Sequence, residues 1–229
     1  MGPAACWSPG CRGRALARQP LMMNVLADLS LECESAVLLA MRLARAFDAL
    51  ADERETLLKR VLTPAAKYWI CKRAPTVCAE AMEVMGGNGY VEDFPLARRF
   101  RESPLNSIWE GSGNVMCLDV LRALARPGGA REALEDFLHA GRGSDGRYDR
   151  FLGQLDEDLD SAEGSELRAR DLTQRIALAA QAALLLAHGP AASCEAFLAS
   201  RIAAAPPAAF GTLPAGCDFE ALMGRVLSA

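Results

Sequence analysis

Histidine is nearly absent: His139 and His188 are the only two in 229 residues. Eight cysteines, at 6, 11, 33, 71, 78, 117, 194 and 217, are scattered, and no pair has the C-x2-C spacing of a zinc site. A structural zinc needs four nitrogen or sulfur ligands, so the pattern argues against a metal site. Several cysteines fall in apolar helical stretches. They read as buried thiols of a reducing compartment, the cytoplasm, rather than as a disulfide framework. Aromatic residues make up only 6%, and no stretch alternates convincingly between apolar and polar residues. A long hydrophobic run is also missing. The longest, "IALAAQAALLLA" at 176–187, is interrupted by Gln181 and is too short to span a bilayer. The first twenty residues hold no apolar h-region, which argues against a secretory signal. Gly2 would invite myristoylation, but Cys6 stands where that motif needs Ser or Thr. An excess of positive charge is lacking too. The net charge of −4 argues against a general polyanion binder, although a local basic face remains compatible with it.

Alanine and leucine are abundant, and half of the residues are hydrophobic. That composition favours an all-α chain, long enough to bury a sizeable core. Leu21 to Phe47 shows the helical period, with Val25, Leu29, Cys33, Val37 and Ala40 on one face and Pro20 just ahead. A second helix starts near 52. Thr63-Pro64 offers a cap and a first-turn proline, so a kink or restart is expected there, and another break at Pro75. The helix then ends at Gly86-Gly87. Residues 88–107 read as a loop with a basic centre: Arg98, Arg99 and Arg101. A further helix covers about 113–125 and stops at "RPGG", the best domain boundary. Beyond it lie acidic amphipathic stretches at 131–138 and 148–160. A strong helix follows at 165–188, then a short one at 191–203, and Asp218 can cap a last helix. The expected organisation is a tail over 1–18, disordered or atypical as the start of a domain, a helical bundle over 19–126, and a helical extension over 127–229. Helix packs on helix.

The chemistry concentrates in "MGGNGYVEDFPLARRFRESPLNSIWEGSGNVMCLDVLRAL", residues 85–124. A lone carboxylate, Glu110, opens the second of its two glycine-rich knots. The local account makes Asn106 or Ser107 a helix cap and puts Glu110 in the first turn, where the dipole favours an acid. Gly111 and Gly113 weaken that account, because each lowers helix propensity by roughly 1 kcal/mol relative to alanine. Glycines instead suit backbone amides that approach a ligand closely, and the start of a helix favours phosphate.

Taken together, "EAMEVMGGNGYVEDFPLARRFRESPLNSIWEGSGNVMCLDVLRAL" and "LTPAAKYWICKRAP" resemble the C-terminal helical domain of the acyl-CoA dehydrogenase superfamily, most closely its AidB-type, alkylation-response branch. The resemblance runs from about Gln19 to Arg126 and is most specific over 56–124. It implies FAD as cofactor and an acyl-CoA thioester as substrate, oxidised to the 2,3-enoyl-CoA. Glu110 matches the base that removes the α-proton. Ser112 and Asn114 match positions that hydrogen-bond FAD, alongside Gly111 and Gly113, and Trp109 would pack by the flavin. Gly86 and Gly87 match backbone near the adenine dinucleotide portion. Glu83 stands where many members carry Gln, and a carboxylate beside a pyrophosphate is unfavourable unless neutralised. Arg101 would either approach a phosphate of CoA or FAD or form a surface ion pair. Relatives also carry an N-terminal helical domain and a β-barrel, which this sequence does not match. An N-terminally truncated chain of this kind is expected to hold the base without a complete site, and to bind FAD poorly.

The resemblance also implies an association with DNA through the extension. Charge resists it: residues 127–229 hold nine arginines and no lysine against fifteen acids, a balance of −6. Non-specific DNA binding depends on neutralising phosphates. Arg168 and Arg175 share a face of their helix, while Arg170 is turned away. They read as a solvated face with i,i+4 pairs. A bundle of this family is expected to expose apolar helix faces and to form homo-oligomers.

Overall fold

A computed structural model describes residues 15–49, 51–161, 166–204 and 208–227. Cys6, Cys11 and most of the expected tail lie outside these. Among the described residues ten α-helices form and no strand. None of the helices is long and apolar enough to cross a membrane.

Helix α1 (Pro20–Asp48) begins with Pro20 at its first position, where the missing N–H is harmless. It turns Ala27, Leu31, Leu39 and Ala46 inward. Helix α2 (Glu53–Met85) starts at Asp52, whose side chain accepts from the Glu55 amide at 3.2 Å. The restart expected at Thr63-Pro64 does not occur. Helix α2 runs for 33 residues through Pro64 and Pro75. An interior proline costs about 3 kcal/mol, and here burial offsets it: Val61, Leu62, Pro64, Ala65 and Ala66 are all buried.

The stop at Gly86 is as expected. Its φ of 59° and ψ of −139° lie in a region that essentially only glycine visits. The loop expected over 88–107 is largely helical instead. Helix α3 (Gly87–Tyr90) folds back on the end of α2, and a Cβ on Gly89 would come within 2.2 Å of the Met82 carbonyl oxygen. Helix α4 (Pro95–Glu102) has Pro95 at its start and an Arg98–Glu102 pair at 2.8 Å, and it buries Ala97. A 3-10 turn follows at Ser103–Ser107. The arginines that suggested a loop are the outward face of a short helix.

Helix α5 (Gly113–Ala125) leads to α6 (Ala130–His139), α7 (Gly146–Asp160) and α8 (Ala169–His188). The apolar run at 176–187 is the centre of the molecule: α8 buries every residue from Ile176 to Leu185. A helix apolar all round belongs inside. Its one polar member there, Gln181, donates to the Ser35 hydroxyl of α1 at 3.2 Å. One hydrophobic cluster joins Leu31, Leu62 and Val120 to Leu134, Leu152 and Ile176, so the core is continuous across "RPGG".

Helix α9 (Ala191–Phe197) runs into a π-helical turn at Leu198–Ile202. That turn aims Arg201 at Asp28 and Glu32 of α1, all three buried. Arg73 of α2 completes the set, 2.9 Å from Glu32. Two acids and two arginines balance, which is what makes buried charge tolerable. Helix α10 (Phe219–Leu227) packs on α1, and Asp218 caps it by accepting from the Ala221 amide at 2.9 Å.

The described cysteines are all free. Cys117 is buried as read from the sequence, whereas Cys33 is exposed on α1. Burial pushes the Cys117 thiol up, which favours the neutral form.

Candidate active site

The loop between the 3-10 turn and α5 carries Glu110. The local account of this residue fails. Ser107 caps no helix start; its hydroxyl donates back to the Pro104 carbonyl at 3.2 Å. Helix α5 begins three residues beyond Glu110, and its cap position is Ser112. Glu110 has φ 52°, the only positive φ of a non-glycine residue among the described residues. An L-residue in this left-handed region carries a cost of about 1–2 kcal/mol. A first-turn glutamate would need no such conformation.

The loop is braced from α2. Lys67 Nζ donates to the Trp109 carbonyl at 3.0 Å and also to the Gly111 carbonyl. These oxygens lie on either side of Glu110. Gly111 has φ 106°, and a Cβ there would meet the Met116 methyl at 2.2 Å. Gly113 is buried for a different reason. A Cβ on it would lie 3.0 Å from Lys72 Cε and 3.4 Å from the Tyr68 ring, so the glycine seats α5 on α2.

Glu110 is exposed and borders an open cavity of about 640 Å³. Phe47, Leu57, Pro64 and Met116 give that cavity an apolar floor, and Lys59 and Lys67 line its sides. Arg60 pairs with Asp119 at 2.7 Å on the same wall and holds its carboxyl below the usual range.

The start of α5 is rich in unused donors. Ser112 occupies the cap position without a capping hydrogen bond. The first amides of any helix lack intrahelical partners. Asn114 Oδ1 accepts from Arg170 Nε of α8 at 2.8 Å, and Lys72 lies beside Gly113. Two cations and a helix N-terminus favour a polar, anionic ligand. Trp109 is 56% exposed beside them.

Glu110, Trp109, Gly111, Ser112, Gly113 and Asn114 are thus together. Gly86 and Gly87 are not part of that cluster. They lie nineteen and twenty residues beyond Lys67, just past the end of α2, roughly 30 Å away at helical rise. Arg101 points its guanidinium at Glu92, in a fork whose longer arm is 2.9 Å, and both are exposed. Glu83 is exposed near the end of α2. Sequence reasoning missed Lys67 and the reach of the exposed Arg170 to Asn114. The turn of Arg170 away from Arg168 and Arg175 was legible: those two meet Asp158 of α7, while Arg170 reaches Asn114.

Residues 4–125 match the family model "Acyl-CoA dehydrogenase, C-terminal domain". The chain is 44% identical over 176 residues to the putative acyl-CoA dehydrogenase AidB of Escherichia coli, covering 77% of this chain and 32% of that protein. It is 32% identical over 117 residues to acyl-CoA dehydrogenase family member 11 of Caenorhabditis elegans, covering 49% and 19%. The crystal structure of C. elegans ACDH-11 in complex with C11-CoA superposes with a TM-score of 0.69 at 26% identity, over 82% of this chain and 36% of that one. The chain therefore spans about a third or less of the length of these relatives. With a family match over more than half of its residues and the same helical fold, this chain belongs to the acyl-CoA dehydrogenase family, in its C-terminal domain.

Proposed function

We propose that this chain provides the proton-abstracting part of an FAD-dependent acyl-CoA dehydrogenase. The observation that carries the reading is Glu110, an exposed carboxylate in a left-handed conformation at the rim of an apolar cavity. A residue held against its backbone preference points to a functional demand.

Glu110 takes the proton from the carbon next to the thioester carbonyl. The released electron pair becomes the new C2–C3 double bond, and the hydrogen on C3 leaves with its own pair. When bound, FAD would supply the two-electron acceptor for that hydride. The donor chemistry at the start of α5 fits a dinucleotide: Ser112, Asn114 and free amides, with Lys72 and Arg170 behind them. Gly111 keeps the loop close to α5, Gly113 seats α5 on α2, and Trp109 offers a face for the flavin. Gly86 and Gly87, just past the far end of α2, would serve another part of the cofactor. Arg101 is the weakest member of the set, because Glu92 already engages it. Phe47, Leu57, Pro64 and Met116 suit an acyl chain, and C11-CoA in the C. elegans relative supports an acyl-CoA substrate.

The test is anaerobic mixing of the chain, with FAD in excess, against a series of acyl-CoA thioesters. With the site incomplete, flavin absorbance should fall only slowly, and Glu110→Gln should slow that residual fall by about a hundredfold or more. Equal rates in the two proteins would remove Glu110 from the mechanism.

A further inference from the structure

We propose that Lys67 is a positioning residue that fixes Glu110 in its left-handed conformation. The inference rests on reading Glu110 as the base. Lys67 projects from α2, one turn beyond Thr63, into the cavity that Glu110 borders. Its ammonium donates to the carbonyls of Trp109 and Gly111, the residues immediately before and after Glu110. Among the described residues no other side chain donates to the backbone of 109–111. The peptide unit just before Glu110 and the one just after Gly111 are therefore held by one charge on a rigid helix.

Such a grip answers a specific difficulty. A residue at φ 52° flanked by a glycine at φ 106° has lower-energy conformations within reach. Local bonds do not prevent that relaxation. The Ile108 and Trp109 amides both go back to Leu105, and the next backbone bond forward starts at the Met116 amide, so the links that remain fall outside Glu110. A hydrogen bond to a charged donor is stronger than a neutral one, and Lys67 makes two. Pro64, buried nearby on α2, sits in the packed half of that helix and gives the lysine a fixed base. Holding the loop through its carbonyl oxygens leaves the Glu110 carboxylate unengaged. A base needs that freedom, whereas an ion pair with Lys67 would consume it.

The experiment is backbone ¹⁵N relaxation on the full chain, comparing wild type with Lys67→Met and Lys67→Arg. Wild type should give order parameters near 0.85 at 109–111, while Lys67→Met should fall to about 0.6 or below there and leave α1 and α8 unchanged. The Glu110 Cα shift should lose its left-handed value in the same variant. Lys67→Arg, which keeps several donors, should restore both. An ordered, left-handed loop in Lys67→Met overturns the proposal. Should that variant lose its fold, Lys67→Leu, which also lacks a donor, replaces it, and a loop as rigid as wild type, or a uniformly loosened chain, also overturns the proposal. Glu110→Gln separates the two ideas. It should leave the loop rigid, because Lys67 holds carbonyls. Failure of Glu110→Gln to impair proton abstraction would sink the base reading and leave the clamp standing.

Discussion

Glu110 shows how one residue can be stable in the wrong conformation. Its φ of 52° costs energy that glycine would not incur. Replacing it with glycine should raise unfolding stability by about 0.5–1 kcal/mol relative to Glu110→Ala, which keeps the same strain. Urea unfolding of the two variants measures this, and an equal or lower stability for the glycine variant would show the loop to be unstrained. The acid and its glycine neighbours were legible in the sequence, because spacing and composition are local. Lys67 was not. It lies more than forty residues from the loop and bonds to backbone carbonyls, which leave no mark on the identity of the residues they belong to.

Helix ends were read well where a cap residue writes them, and poorly where packing overrides propensity. Pro20, Gly86 and Asp218 each mark an end that the fold respects. Pro64 and Pro75 signal breaks that do not occur, because the buried half of α2 outweighs the lost hydrogen bonds. Helix α4 was hidden by its charge: three arginines in eight residues look like a loop until the Arg98–Glu102 and Arg101–Glu92 pairs are seen. At the start of α7, Asp145 accepts from the Arg147 amide at 2.7 Å and pairs with the Arg147 guanidinium at 2.8 Å. The guanidinium hydrogen bond is the main cause that draws the Asp145 carboxyl down to about 2. A folded value below the unfolded one means stability that is fully present above the unfolded pKa of 3.8 and lost as pH falls through about 2. Asp145→Ala should cost about 1 kcal/mol at neutral pH. That difference should shrink as acid titration passes through pH 2 and vanish below it, and a gap that persists there would assign the loss to packing.

In the molecule as a whole, the described residues of the extension settle most of their charge internally. Arg131, Arg142, Arg147, Arg175, Arg201 and Arg225 of the extension each pair with an acid. Among the described arginines of the extension few are left without an acid, which weighs against the DNA-associated reading. Apolar surface is less settled. Val37, Met41 and Phe47 are exposed along α1, and Tyr90, Ile108 and Trp109 around the site. Exposed apolar faces favour self-association. Gel filtration after incubation with FAD should therefore show a species larger than the 24.5 kDa monomer, carrying well under one flavin per chain. A monomer, or stoichiometric flavin, would contradict that picture of an open site.

The most direct test reads the base alone, before any hydride moves. In heavy water, with FAD in excess, the wild-type chain should exchange deuterium into C2 of an acyl-CoA thioester, followed by proton NMR. Glu110→Gln should lower that rate by about a hundredfold or more, the range for loss of a general base. Exchange at equal rates in both proteins would contradict the assignment of Glu110 as the α-proton base.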